Sequence, residues 1–142
     1  MSQVLVVEDD KSIAEPLQKA LELNNITVDV VNNCEDGWEL IKQNTYEIII
    51  LDLRMPNGMQ GEELLYKIRK ECPFVDVLIF SCTKEFEDVR SLVNIGIDGF
   101  YNKSTADLND IIKKVKEKIE PLDEDEVNVM FKEISKIRGD KV

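Results

Sequence analysis

The sequence predicts an α/β fold, a doubly wound parallel sheet of five strands in the order 2-1-3-4-5, and three observations carry the prediction. Apolar, strand-like runs alternate five times with segments of helical period before the chain changes character near Pro121. Two of the runs, "IIIL" and "VLIF", are apolar without interruption, as strands covered on both faces must be. By contrast "TVDVV" carries Asp29 and "GFYNK" is short and partly polar, which suits the edges. Finally, two buried runs end abruptly on acids: "VLVVEDD" leads into Glu8, Asp9 and Asp10, and "IIILD" into Asp52. The carboxyl ends of strands beside the switch in strand order are where such a sheet binds ligands.

Each element has a local reason. The strand candidates are Val4–Val7, Thr27–Val31, Ile48–Asp52, Val77–Ser81 and Gly99–Lys103, and the helix candidates between them are Ile13–Leu23, Glu35–Gln43, Glu62–Lys70, Glu85–Asn94 and Ala106–Ile119. "SIAE" reads as a capping box with Ser12 as N-cap and Glu15 three residues on, and Pro16 falls early enough to be tolerated. Asp10 reads as a cap or a loop acid rather than a ligand. Asn44 ends the second helix, and Gly96 and Gly99 are stop and turn signals after the fourth. Alternating β and α units of this kind stack as a flavodoxin-like (βα)5 three-layer sandwich over residues 1–121.

Composition narrows the class. At 142 residues with a 43% apolar fraction, the chain suits one domain. A net charge of -11 opposes nucleic-acid and anionic-membrane binding, so proteins or cations are the expected partners. Cys34, Cys72 and Cys82 are odd in number and lack metal-ligand spacing, which reads as reduced thiols. A basic signal n-region and a run of ~20 apolar residues are both missing, so the expected location is the cytoplasm. Histidine is absent, which leaves carboxylate, hydroxyl and lysine chemistry.

Acids brought to one crevice from two strand ends repel one another unless a cation sits among them. An oxygen-only donor set suits Mg²⁺, with Mn²⁺ as a substitute.

Several separated motifs then resemble, in order, those of the receiver domain of two-component response regulators, over residues 3 to about 120. "VVEDD" is similar to the family's acidic pair, which makes Glu8 and Asp9 the metal-pocket acids. "LDLRMP" is similar to the phosphoacceptor strand end, which makes Asp52 the nucleophile and the backbone carbonyl of Arg54 a third metal ligand beside Asp9 and Asp52. "IFSC" places Ser81 at the phosphoryl-gripping hydroxyl, and "FYNKS" places Lys103 at the family's strand-5 lysine and Phe100 at its switch aromatic. The resemblance implies phosphorylation of Asp52 by a sensor histidine kinase or a histidine phosphotransfer protein. Ser81 and Phe100 would then switch the surface of helix 4, strand 5 and helix 5 toward an unknown downstream protein, a face that here includes Phe86, Tyr101 and the lysines of "IIKKVKEK". The chain would be no enzyme beyond catalysing its own aspartyl phosphorylation and dephosphorylation. The alternative is a degenerate receiver that binds partners without phosphorylation.

This chain departs from the family pattern at Phe100, which lacks the hydroxyl of a tyrosine switch, and in three further places. "MPNGMQG" is one residue longer than the common loop, Ser104 stands where a proline with a cis peptide is frequent, and Arg54 occupies a variable position facing the phosphoryl group. Two other classes fit less well. A flavodoxin-type phosphate loop needs glycines and hydroxyls where "EDDKS" stands, and a phosphatase of the haloacid dehalogenase class needs a second acid where Arg54 stands. Residues 122–142 read as an amphipathic helical tail with Val127, Met130, Phe131, Ile134 and Ile137 in a stripe. Such a tail folds back on its domain, frays, starts a linker, or pairs with a second copy; a homodimer through the helix 4 to helix 5 face is the other route.

Overall fold

A computed structural model of the chain describes residues 2–82, 86–119 and 124–138. The elements follow in the expected alternation: β1 (Val4–Val7), α1 (Lys11–Leu23), β2 (Val28–Val31), α2 (Cys34–Gln43), β3 (Ile48–Leu51), α3 (Gly61–Glu71), β4 (Asp76–Ser81), α4 (Phe86–Ile95), β5 (Gly99–Asn102), α5 (Leu108–Ile119) and α6 (Glu124–Arg138). All strand pairs are parallel, in the order β2-β1-β3-β4-β5. Val4 faces Val28 on one side and Ile48 on the other, and Leu78 faces Gly99.

Because strand side chains alternate between faces, the uninterrupted apolar runs feed two cores at once. Leu5, Val7, Ile49, Leu51, Val77 and Ile79 pack with Leu64, Leu65 and Ile68 of α3 and Leu92 of α4. Val4, Val6, Ile48, Ile50, Leu78 and Phe80 pack with Leu17 and Leu21 of α1 and with Ile111, Ile112 and Val115 of α5. Each such side chain contributes about 2 kcal/mol of burial, enough in aggregate to hold the strand ends that carry the acids in register. The edge strands β2 and β5 are half-buried throughout, in keeping with their mixed sequences.

The helix ends required two corrections. Ser12 does not cap α1; Asp10 does, its carboxylate accepting hydrogen bonds from the Ser12 amide (2.9 Å) and hydroxyl (2.6 Å). A carboxylate is the stronger acceptor and is favoured by the helix dipole, so it displaces a hydroxyl two residues later. The Ser12 contacts hold the Asp10 carboxyl below its usual range. Pro16 consequently lies deeper in α1 than a Ser12 cap implied, and Pro16 has no N–H to return to the carbonyl of Ser12, an exposed residue. At the other end of the domain, α5 begins at Leu108 rather than Ala106, with the Asp107 carboxylate accepting from the Asn109 amide (2.9 Å). The Lys103–Ser104 peptide is trans, as are all peptides among the described residues.

The tail does form a helix, but its apolar stripe is not folded back. Phe131 is 62% and Ile137 84% exposed, and Val129, Met130 and Ile134 are exposed as well. The side chain of Val127 lies outside the described residues. All three cysteines are free: Cys34 is buried, Cys72 half-buried and Cys82 exposed. No helix among the described residues is long and apolar enough to cross a membrane.

Candidate functional site

The register of the sheet assembles the site. Val7 pairs with Leu51, and the Asp52 amide donates to the Val7 carbonyl (3.0 Å), so Glu8 and Asp52 leave adjacent strands at the same level. Ser81 pairs with Asn102, and the Lys103 amide donates to the Ser81 carbonyl (3.0 Å), which sets the backbones of Ser81 and Lys103 side by side at the end of β4 and β5. Glu8, Asp52 and Ser81 are buried. Carboxylate oxygens of Glu8, Asp9 and Asp52 lie within 4.8 Å of one another, Asp9 being the most open of the three.

Lys103 reaches across two strands to this cluster. Its ammonium is paired with Glu8 and with Asp52 (3.0 Å), and it lies 5.9 Å from the centre of the Phe80 ring. Burial works against the Lys103 charge, yet the hydrogen bonds and negative charge of Glu8 and Asp52 win, and its pKa is raised. The Glu8 carboxyl is pushed up to about 8, first by burial and then by Asp52 beside it, against the pull of Lys103. One buried oxygen of Glu8, Oε2, has no hydrogen-bond partner among the described residues. A buried acceptor of this kind is costly alone. Together with an all-oxygen donor set it fits a hard divalent cation.

The loop after Asp52 is braced by contacts that spacing did not disclose. The Arg54 amide donates to Asp52 Oδ1 (3.3 Å), while the Arg54 side chain is exposed. The Gln60 side chain accepts from the Met55 amide (3.0 Å) and donates to the carbonyls of Met55 (3.0 Å) and Gly58 (3.2 Å), closing the longer loop on itself. Glu35 at the start of α2 accepts from the Met59 amide (2.6 Å), and Gly58 at φ +74° turns the chain there. Gly61 starts α3 so close to β3 that a Cβ would stand 2.2 Å from the Asp52 carbonyl oxygen and 2.6 Å from the Leu53 Cα. Only glycine permits that approach, and it sets the backbone that presents Asp52.

Phe100 is half-buried against the core on the α3 and α4 side, whereas Tyr101 packs against the α1 and α5 side. Strand alternation therefore sends these two neighbouring aromatics to opposite faces of the sheet. The side chain of Phe86 lies outside the described residues.

A model of the response regulator receiver domain matches residues 4–116. The chain belongs to this family. As a receiver domain it is 28% identical over 116 residues to the response regulator ArlR of Staphylococcus saprophyticus, which covers 82% of this chain and 51% of that one. It is also 28% identical over 100 residues to the transcriptional regulatory protein YkoG of Bacillus subtilis, covering 70% and 43%. The chain thus spans about half the length of the curated relatives it matches. Among solved structures, the receiver domain of the Francisella response regulator 1452 superposes with a TM-score of 0.74 at 29% identity, over 82% of this chain and 94% of that one. A two-component response regulator from Clostridium difficile superposes with a TM-score of 0.77 at 26% identity, over 85% and 98%. The degenerate alternative finds no support in this receiver domain, because acid cluster, hydroxyl and lysine are all present at the strand ends.

Proposed function

We propose that this receiver domain accepts a phosphoryl group on Asp52 from a sensor histidine kinase or a histidine phosphotransfer protein and passes the change to a downstream protein through the face formed by α4, β5 and α5. The observation that carries the reading is the meeting of Asp52 with the ammonium of Lys103 and the acids Glu8 and Asp9 in one cluster at the strand ends. A carboxylate oxygen of Asp52 attacks phosphorus, forming the acyl phosphate. The P–N bond to the donor imidazole breaks, and its electron pair stays on the nitrogen, which is then free to take a proton. Lys103, held as an ammonium, neutralises a phosphoryl oxygen, and Ser81 donates a hydrogen bond to another. Glu8, Asp9, Asp52 and the Arg54 carbonyl would hold Mg²⁺, or Mn²⁺ in its place, which when bound supplies neutralising charge to the phosphoryl oxygens.

Attachment draws Ser81 inward, and Phe100 follows into the space it leaves, which biases a two-state surface. The chain is in this reading no enzyme toward a separate substrate. A homodimer through the α4 to α5 face or through α6 belongs to the same proposal. Sedimentation with and without residues 122–142 tells the two routes apart.

The direct test is intact-protein mass spectrometry after incubation with acetyl phosphate, with Mg²⁺ or with EDTA. One phosphoryl adduct is expected, dependent on Mg²⁺ and absent from Asp52→Asn. A folded wild-type protein that takes up no adduct, or an Asp52→Asn variant that still does, overturns the assignment.

A further inference from the structure

At the end of the sheet away from the acids, one side chain ties three segments together. Arg69 of α3 donates from Nε to the Gly96 carbonyl (2.7 Å) and from Nη1 to the carbonyls of Val75 (2.5 Å) and Pro73 (3.3 Å), and its Nη2 pairs with Asp98 Oδ2 (2.8 Å). The same Asp98 oxygen accepts from the Val77 amide (2.8 Å), while the Asp98 amide donates to the Val77 carbonyl (2.8 Å). Gly96, at φ +114°, is where α4 stops, its amide closing onto the Leu92 carbonyl (2.9 Å). The Arg69 side chain is 17% accessible; its bonds to the Gly96 and Val75 carbonyls are partly buried, while those to Pro73 and Asp98 lie at the surface. A planar guanidinium spreads its donors over several carbonyls at once, which an ammonium cannot do from one point.

We propose that Arg69 is the hinge pin of α4. It fastens the C-terminal end of that helix to α3 and to the start of β4 and β5. Any displacement of α4 is therefore a swing about Gly96, in which the first turn travels and the last stays. The first turn is the end joined to Ser81 through residues 82–85, so a pull on the Ser81 side acts at the free end of the lever. The swing rests on the phosphoacceptor reading for its drive; the pin does not.

Two measurements on the full chain separate these parts. Amide hydrogen exchange on the free protein is expected to speed about tenfold at Gly96 and Asp98 in Arg69→Gln, with the amides of β1 and β3 unchanged. Beryllofluoride with Mg²⁺, a small phosphoryl mimic, is expected to shift wild-type amide resonances over residues 86–91 and leave residues 94–98 in place, and in Arg69→Gln the shifts spread to both ends. Exchange at Gly96 and Asp98 that matches wild type, or wild-type shifts as large at 94–98 as at 86–91, overturns the pin. If Arg69→Gln does not fold, Asp98→Asn serves for the exchange readout, since it removes the ion pair but keeps an acceptor for the Val77 amide. Failure of beryllofluoride to bind overturns the swing together with the phosphoacceptor reading, while the exchange comparison still decides whether Arg69 anchors the helix.

Discussion

Lys103 pairs with two acids, the proposed switch gives it a conformational burden as well, and its replacement separates the two. In Lys103→Ala the carboxyl groups of Glu8 and Asp52 lose the cation paired with both, which costs up to about 3 kcal/mol of unfolding free energy, read by urea denaturation at neutral pH without added divalent ions. The cost is less to the extent that Glu8, whose carboxyl is pushed up to about 8, takes up a proton instead. Phosphorylation of Asp52 in that variant is expected to persist while the shift of the α4 to α5 surface is lost, a difference that amide resonances with and without phosphodonor display. Cysteine reactivity gives an independent check of burial. The Cys34 thiol is pushed up to about 12, by burial first and then by the neighbouring acids Glu35, Asp52 and Glu63. The reactive form is the thiolate, so raising the pKa suppresses reaction at neutral and mildly alkaline pH. Iodoacetamide at about pH 8 is expected to label exposed Cys82 in the folded protein and Cys34 only after unfolding, as peptide mapping would report.

At the scale of elements, most boundaries were legible because caps and periodicity agree. Asn33 accepts from the Asp36 amide (2.7 Å) at the start of α2, and Asn33→Ala is expected to lower stability by about 1 kcal/mol in a denaturant titration. Asn44 ends α2 as its position implied, its side chain donating to the Leu40 carbonyl (3.0 Å). Ser12 was misleading for a definite reason: a hydroxyl and a carboxylate two residues apart compete for one set of helix amides, and pattern alone does not rank them. The loop from Met55 to Gln60 was illegible in a different way. Its shape depends on a glutamine side chain folding back over it and on Glu35 reaching in from α2, and neither partnership leaves a mark on local sequence.

The whole molecule shows where reading along the chain stops. Strand order could be read because continuous and mixed apolar runs distinguish central from edge strands, and the acids could be grouped because β1 and β3 flank the switch point. That Glu8 and Lys103 touch, or that Gly61 rests on the Asp52 backbone, depends on register between segments far apart in sequence. The tail was legible as a helix, yet not in its relation to the domain. Since the described side chains of α6 are mostly exposed, removing residues 122–142 is expected to change the urea midpoint of the remaining domain by no more than about 0.5 kcal/mol in free energy. A larger loss would mean that the tail is part of the folded unit.

The β5 strand is an edge of only four residues, and edge strands are the ones most free to slip. Here it is bolted at both ends. Asp98 fastens its start to Arg69, and Lys103 fastens its finish to acids on β1 and β3. Sliding by one residue would break both attachments and turn Phe100 out of its core. If the domain switches as proposed, these two attachments make the sheet a chassis, and what passes along its edge would travel as rotation of side chains between two fixed bolts.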